Sequence, residues 1–301
     1  MNMLKWGRVV AATSLMMLAG CASTGLDDKS SYSWSTLPVA MPLQPTYQQE
    51  LQLVHIDQIM QQPNIEEGEL ARLHYQRGLL YDSIGLRDLA KLEFNRSLAL
   101  NPSQSDVFNM LGVYFTQSSM FDSAYDAFES SLELDGEFDY AAQNLGIALY
   151  YGGRQELARE KLSRHFQRNT DDAYRALWLY LSERKLYGES DATASLRHRY
   201  EAANTEDWGW QIVRFYLGET TETAFLDNIT ATSKDNIQLA ERLCEAYFYL
   251  AKHYQFSGDD ENAAALYKLA MSGNVFQFVE HRYALLELSL LAQQYQPVEY
   301  R

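Results

Sequence analysis

Residues 71–104 read ARLHYQRGLLYDSIGLRDLAKLEFNRSLALNPSQ, and residues 105–138 read SDVFNMLGVYFTQSSMFDSAYDAFESSLELDGEF. Aligned on Gly78 and Gly112, both stretches carry an alanine, a phenylalanine and a serine at offsets of 12, 16 and 19 residues. A third copy opens at Gly146, a further 34 residues along, with alanine, leucine and histidine at the same offsets. A fixed period of this length predicts stacked pairs of antiparallel helices.

The period and its small residues resemble the tetratricopeptide repeat (TPR), in which small side chains let two helices approach closely. A later copy carries Ala251 and Ala263, again 12 residues apart. We therefore expect four repeats, near residues 71–104, 105–138, 139–172 and 244–277. Stacked repeats of this kind form curved surfaces that hold other proteins. The alternative is an ordinary helical bundle with coincidental glycines.

The composition favours an all-α fold. The chain has 301 residues and few prolines and glycines, 6 and 16 respectively, which favours helices over turn-rich sheets. We expect a TPR-type helical solenoid over residues 46–292, followed by a loose tail at 293–301. The repeats lose their period between residues 171 and 242.

Two further helices are expected outside the repeats. Thr46 can cap an N-terminal helix that runs to about Gln62 and packs on the end of the solenoid or on a second copy. Residues 276–292 form a final helix that caps the C-terminal end or lies against the concave surface.

The net charge of −15 makes the chain a poor candidate for binding nucleic acid or anionic lipid surfaces. Plain solubility is the simplest interpretation of this acidity.

The N-terminus has the pattern of a bacterial lipoprotein signal. Lys5 and Arg8 precede an apolar run that ends in Leu18-Ala19-Gly20-Cys21, which resembles a lipobox. We expect residues 1–20 to be a signal peptide, Cys21 to carry the lipid (diacylglycerol and a fatty acid such as palmitate), and residues 21–45 to be a flexible and extended tether. An alternative is a signal peptide with an incidental cysteine.

No catalytic motif is convincing, so we expect a non-enzyme with no cofactor and no metal. Ser182 and Lys185 match Ser-x-x-Lys, a nucleophile motif of penicillin-interacting enzymes, but the companion Lys-Thr-Gly is absent. The histidines show no metal-ligand spacing, and Cys244 is expected to be a buried, inert thiol.

Partner-binding residues are expected on the first helix of each repeat, which lines the concave face of a TPR array. Positions two, five, nine and twelve of the first three repeats face that side. The candidates are Arg72, Tyr75, Leu79, Asp82, Asp106, Asn109, Val113, Thr116, Tyr140, Gln143, Ile147 and Tyr150.

Several stretches resemble one family over nearly the whole mature chain, namely residues 42–45, 80–86, 148–154, 208–210 and 280–288 together with the lipobox. They are similar to the NlpI lipoprotein family of gammaproteobacteria. The resemblance implies a homodimer anchored to the outer membrane and facing the periplasm. It further implies an adaptor that binds the C-terminal-processing protease Prc, an NlpC/P60-type endopeptidase and other peptidoglycan hydrolases, with a role in cell division. A structural lipoprotein of an outer-membrane complex, and a cell-wall enzyme using Ser182 and Lys185, are the alternatives.

Overall fold

The structure is a computed structural model, and it describes residues 37–294. All regular secondary structure in this range is helical. The helices are α1 (Tyr47–Met60), α2 (Glu67–Ser83), α3 (Arg87–Leu100), α4 (Ser105–Gln117), α5 (Phe121–Leu134), α6 (Asp139–Tyr151), α7 (Gln155–Arg168), α8 (Ala173–Tyr187), α9 (Glu189–Ala202), α10 (Trp210–Tyr216), α11 (Glu222–Thr232), α12 (Asn236–Phe256), α13 (Asp260–Ser272) and α14 (Val279–Gln294).

The glycines of the repeat lie where paired helices approach most closely. A Cβ atom on Gly112 of α4 would lie 2.5 Å from the Phe128 ring of α5. Gly78 meets Phe94 in the pair α2–α3, and Gly146 meets Leu162 in the pair α6–α7, in the same way. The sequence offsets therefore reflect one packing contact that recurs in three successive pairs.

The continuous array of helical pairs includes one pair more than the three that the sequence predicted before the loss of period. Helices α8 and α9 pack against each other, and α8 also contacts α7 and α6. Ala192 and Leu196 are fully buried at the offsets of 12 and 16 residues. Tyr180 occupies the position that glycine holds in the first three repeats. Because the sequence pattern requires a small residue there, this repeat was not recognised. The period is lost only at α10 and α11, which precede the last pair, α12–α13.

The N-terminal segment joins the two ends of the array. Leu43 donates its amide to the carbonyl of Gly273 at 2.9 Å, and Met41 exchanges backbone hydrogen bonds with the side chain of Asn236. The chain then enters α1 at Thr46, whose side chain caps the helix as expected. Helix α1 packs on α2, where Asp57 accepts from Arg77 at 2.6 Å.

The C-terminal helix lies across the inner face, which we define as the surface formed by α2, α4, α6, α8 and α12. Helix α14 packs on α13, α12 and α4. Tyr283 of α14 packs its ring against Tyr151 of α6 and Trp178 of α8. Both placements that the sequence left open apply, because α14 packs on α13, the last helix of the array, and also lies against the inner face.

Candidate protein-binding face

The twelve sequence-predicted positions fall into two groups. Six are buried, and four of these, Asp82, Thr116, Ile147 and Tyr150, have less than 5% of their surface exposed. The others are half-buried or exposed, and Tyr140 is the most exposed apolar ring among them at 68%. The exposed or half-buried positions are Arg72, Tyr75, Leu79, Asp106, Tyr140 and Gln143.

Helix α14 explains why part of the predicted face is closed. Arg282 of α14 forms a buried ion pair with Asp82 of α2, and Tyr114 donates its hydroxyl to the same carboxylate at 2.6 Å. Asp82 is therefore saturated by groups of its own chain, and it acts as an anchor for α14 and is not accessible to a partner. The prediction of Asp82 as a contact residue is corrected accordingly.

The open part of the inner face forms a pocket of about 360 Å³ between α2, α4, α6 and α14. Six of the predicted residues line it. The lining comprises Tyr75, Asp106, Asn109, Met110, Val113, Phe138, Tyr140, Gln143, Asn144, Gln277, Val279, Arg282 and Tyr283. We call this set the inner pocket. Leu79, Arg72 and the deeper positions do not line it.

The inner pocket combines aromatic rings, amides and one carboxylate. Phe138 and Tyr140 pack edge to face at a ring separation of 6.2 Å. Asn144 donates to Asn109 at 3.0 Å, which fixes both amides in the floor. Burial, followed by the charge of nearby Asp106, raises the pKa of Tyr75 to about 12, so its hydroxyl stays protonated. These groups can hold an extended polypeptide by ring contact and hydrogen bonding.

Sequence reasoning missed the α14 wall of the inner pocket. This wall consists of Gln277, which precedes α14, and of Val279, Arg282 and Tyr283 of α14. All four lie more than 100 residues along the chain from the repeats they face. The only sequence signal was the amphipathic pattern of this helix, which does not indicate where the helix docks. Repeat periodicity predicted the pocket residues on the first helices, because the position of each of these residues is determined within its own repeat.

A second polar cluster fixes the far half of α14. Glu287 accepts from Lys252 of α12 at 2.6 Å, from Gln255 at 2.9 Å and from Tyr151 at 2.9 Å. Burial alone would raise the pKa of Glu287, but Lys252 and these hydrogen bonds hold the pKa below its usual value. The carboxylate is therefore ionised and fully engaged.

The Ser-x-x-Lys motif does not form an accessible dyad. Ser182 is 0% exposed, so its hydroxyl cannot meet a substrate without unfolding α8. Within residues 37–294, no group of three or more His, Cys, Asp and Glu side chains is arranged to hold a metal ion. Cys244 is buried, as expected, and burial raises the pKa of its thiol well above the usual value.

Cys21 and the rest of the lipobox lie outside the described residues, as do the first part of the tether and the residues after Gln294. Over the described part of the chain, the helices are too short or too polar to cross a bilayer.

Comparison with known proteins identifies the fold. No family model matches the chain. The Rap conjugation gene regulator of plasmid pLS20, solved with the Phr* peptide, is 14% identical with a TM-score of 0.55, over 83% of this chain and 71% of that one. A tetratricopeptide repeat protein from Parabacteroides merdae is 14% identical with a TM-score of 0.50, over 81% of this chain and 91% of that one.

The fold is of the TPR type. Another similar structure, PilF of Pseudomonas aeruginosa, is 17% identical with a TM-score of 0.43, over 73% of this chain and 99% of that one. The prediction of an all-α TPR-type solenoid is confirmed by the helical pairs and by the likeness to the Parabacteroides repeat protein. Structures of this class hold other proteins on the face that the first helices form.

Proposed function

We propose that this protein is a non-catalytic adaptor whose inner pocket binds an extended segment of a partner protein. The observation that carries the proposal is an open pocket on the inner face of a TPR-type fold, walled by aromatic rings and by α14. The Rap regulator, which has a similar fold, was solved with a peptide bound. That structure supports peptide binding as a use of this architecture.

The partners that we propose follow from the sequence resemblance to the NlpI family. They are a periplasmic C-terminal-processing protease and an NlpC/P60-type endopeptidase, with other peptidoglycan hydrolases as further partners. An adaptor that holds a protease and its substrate together raises their effective concentration without lowering a chemical barrier. The protein would thereby set the turnover of cell-wall hydrolases during growth and division.

We further propose that Cys21 is acylated and anchors the protein to the periplasmic face of the outer membrane. The support is the lipobox that ends at Cys21, since several acyl chains on one residue give stable anchoring. In cells, Cys21→Ala should release the protein from the membrane fraction. Continued membrane association would contradict the anchor.

A homodimer is proposed through α1. Tyr47, Leu51 and Val54 are exposed apolar residues spaced along one side of this helix. A second copy would cover them. Light scattering of the wild type should give twice the chain mass, and Leu51→Glu should give a monomer that keeps the wild-type helical circular dichroism spectrum. A monomeric wild type would refute the dimer.

Two other functions remain distinguishable by experiment. A structural lipoprotein of an outer-membrane complex would have the same fold but different partners. A cell-wall enzyme would need Ser182, whose burial argues against it.

The test is affinity capture from cell-envelope extract with the full chain, with partners identified by mass spectrometry. Tyr140→Ala, in the inner pocket, should reduce capture of a processing protease or wall hydrolase. Tyr187→Ala removes an exposed tyrosine elsewhere and is the matched control. Capture of neither enzyme class by the wild type would contradict the adaptor function, and capture of outer-membrane assembly proteins alone would favour the structural alternative.

A further inference from the structure

The floor of the inner pocket holds two buried amides on neighbouring repeats. Asn109 of α4 and Asn144 of α6 expose only 7% and 8% of their surface, and both line the pocket. The Nδ2 group of Asn144 donates to Oδ1 of Asn109 at 3.0 Å. This bond fixes the two amides relative to each other before any ligand arrives.

The same bond leaves one amide group of each residue unsatisfied. Within residues 37–294, Nδ2 of Asn109 and Oδ1 of Asn144 have no hydrogen-bond partner. Neither atom is fully enclosed by protein, so both keep contact with the open pocket. Side-chain amides that are buried in proteins normally have these groups bonded. The pocket floor therefore offers one donor group and one acceptor to a ligand.

The backbone of an extended polypeptide supplies the complementary pair. In an extended segment, the N–H and C=O of one residue point to the same side, as they do in paired strands. The C=O can accept from Asn109 while the N–H donates to Asn144. Every residue except proline carries both groups. Recognition of this kind tolerates different sequences, which suits an adaptor that has more than one partner.

Asp106 gives the pocket a preference among these sequences. It precedes Asn109 by three residues on α4, and residues at this spacing lie on one face of a helix. Its exposed carboxylate has no ion pair or hydrogen bond within the described chain. Arg282, the other charged residue of the lining, is already paired with Asp82. The pocket therefore carries an unneutralised negative charge, which complements a basic side chain.

We propose that Asn109 and Asn144 bind one residue of an extended partner segment through its backbone N–H and C=O, and that Asp106 selects a lysine or arginine beside that residue. This inference rests on the proposed function, since it names the chemistry by which the inner pocket recognises a partner.

Selection from a library of random twelve-residue peptides displayed on phage, with the full chain as the immobilised target, tests the preference for a basic residue. We expect the enriched peptides to contain more lysine and arginine than the unselected library. Asp106→Asn should still enrich peptides but lose the basic preference, because the amide keeps the size of the carboxylate without its charge. Asp126→Asn, at an exposed position on α5, is the matched control and should keep the preference.

The most enriched peptide, synthesised as an acetylated amide, tests the two asparagines by calorimetric titration. The double variant Asn109→Leu/Asn144→Leu removes both amides together, which leaves no buried amide without its partner and should preserve the fold. We expect the double variant to bind the peptide roughly tenfold or more weakly. Asn228→Leu, at an exposed position on α11, should keep the wild-type affinity. Circular dichroism checks that the variants are folded.

Backbone N-methylation of the peptide gives a readout that a merely structural role of the asparagines would not change. A methyl group on the nitrogen that donates to Asn144 removes this hydrogen bond. One position in a methylation scan should therefore lose affinity roughly tenfold in the wild type. That loss should disappear in the double variant, because the acceptor is gone.

Four results overturn the inference. They are no enrichment of any peptide, an unchanged basic preference in Asp106→Asn, wild-type affinity in the double asparagine variant, and a methylation scan that is the same in this variant and in the wild type. If the double variant binds peptide as the wild type does while Tyr140→Ala still reduces capture of the protease or hydrolase, the asparagine subsite is wrong and the adaptor function stands.

Discussion

At the scale of single residues, the fold depends on glycines that admit a ring from the neighbouring helix. Gly112→Ala would place a methyl group against Phe128, and overpacking of this kind costs about 1–3 kcal/mol. Urea denaturation should show that loss. Gly68→Ala is the control, because nothing lies within 4 Å of its Cβ position and alanine favours the helix. An unchanged midpoint for Gly112→Ala would contradict the packing account.

Glu280, in the first turn of α14, makes the free energy of unfolding depend on pH. Burial raises its pKa from 4.5 to about 7, and Tyr249 donates to its carboxylate at 3.3 Å. The folded state therefore favours the protonated form, and this contribution is full below pH 4.5 and lost as pH rises through 7. Relative to the wild type, Glu280→Gln should become increasingly stabilising between these values.

Denaturant melts at several pH values check this dependence. Glu261→Gln, an exposed site on α13, is the control for the change in net charge. A difference between Glu280→Gln and the wild type that stays constant from pH 4.5 to 7 would show that the carboxyl group titrates normally in the folded protein.

The residues that sequence reasoning found are those fixed inside one repeat. Gly78, Gly112 and Gly146 follow from their period because each meets a large apolar side chain of its own pair, namely Phe94, Phe128 and Leu162. The α8–α9 pair escaped because Tyr180 replaces the glycine, although Ala192 and Leu196 keep their offsets. The packing of α8 on its neighbours accommodates a large side chain at this position. A search for small residues alone therefore could not find the α8–α9 repeat.

At the scale of elements, α14 determines how much of the inner face is open. Its amphipathic pattern predicted a helix but left its docking site undecided. The ion pair between Arg282 and Asp82 joins residues 200 positions apart, and no local pattern encodes such a contact. The sequence therefore predicted only the pocket residues that lie on the repeats. It did not predict the opposite wall, which α14 forms.

The buried Asp82–Arg282 pair should contribute strongly to the docking of α14. Arg282→Met leaves a buried carboxylate without its cation, which costs about 3–5 kcal/mol. Adding Asp82→Leu in the same chain should recover much of this loss, because both charges are then gone. Unfolding free energies of the single and double variants measure the coupling.

A surface pair offers the matched control. Arg72 and Glu69 lie 3.2 Å apart with both side chains largely exposed, so Arg72→Met should cost well under ~1 kcal/mol. If Arg282→Met cost no more than Arg72→Met, α14 would not be anchored by its ion pair.

At the scale of the whole molecule, the TPR-type array provides an inner face, and α14 leaves the inner pocket open on it. The strap from Met41 to Leu43 ties this array to its last helical pair. The repeat spacing was enough to predict the fold class. It could not predict the partners, because which protein binds depends on the partner's sequence as well as on the residues of this pocket. The resemblance to the NlpI family supplies that part of the hypothesis.

The most direct measurement combines the full chain with a purified C-terminal-processing protease and a purified NlpC/P60-type endopeptidase, and follows the loss of intact endopeptidase. The adaptor account predicts that the chain accelerates degradation, that Tyr140→Ala loses most of this acceleration, and that Tyr187→Ala retains it. A degradation rate that is the same with and without the chain would contradict the account.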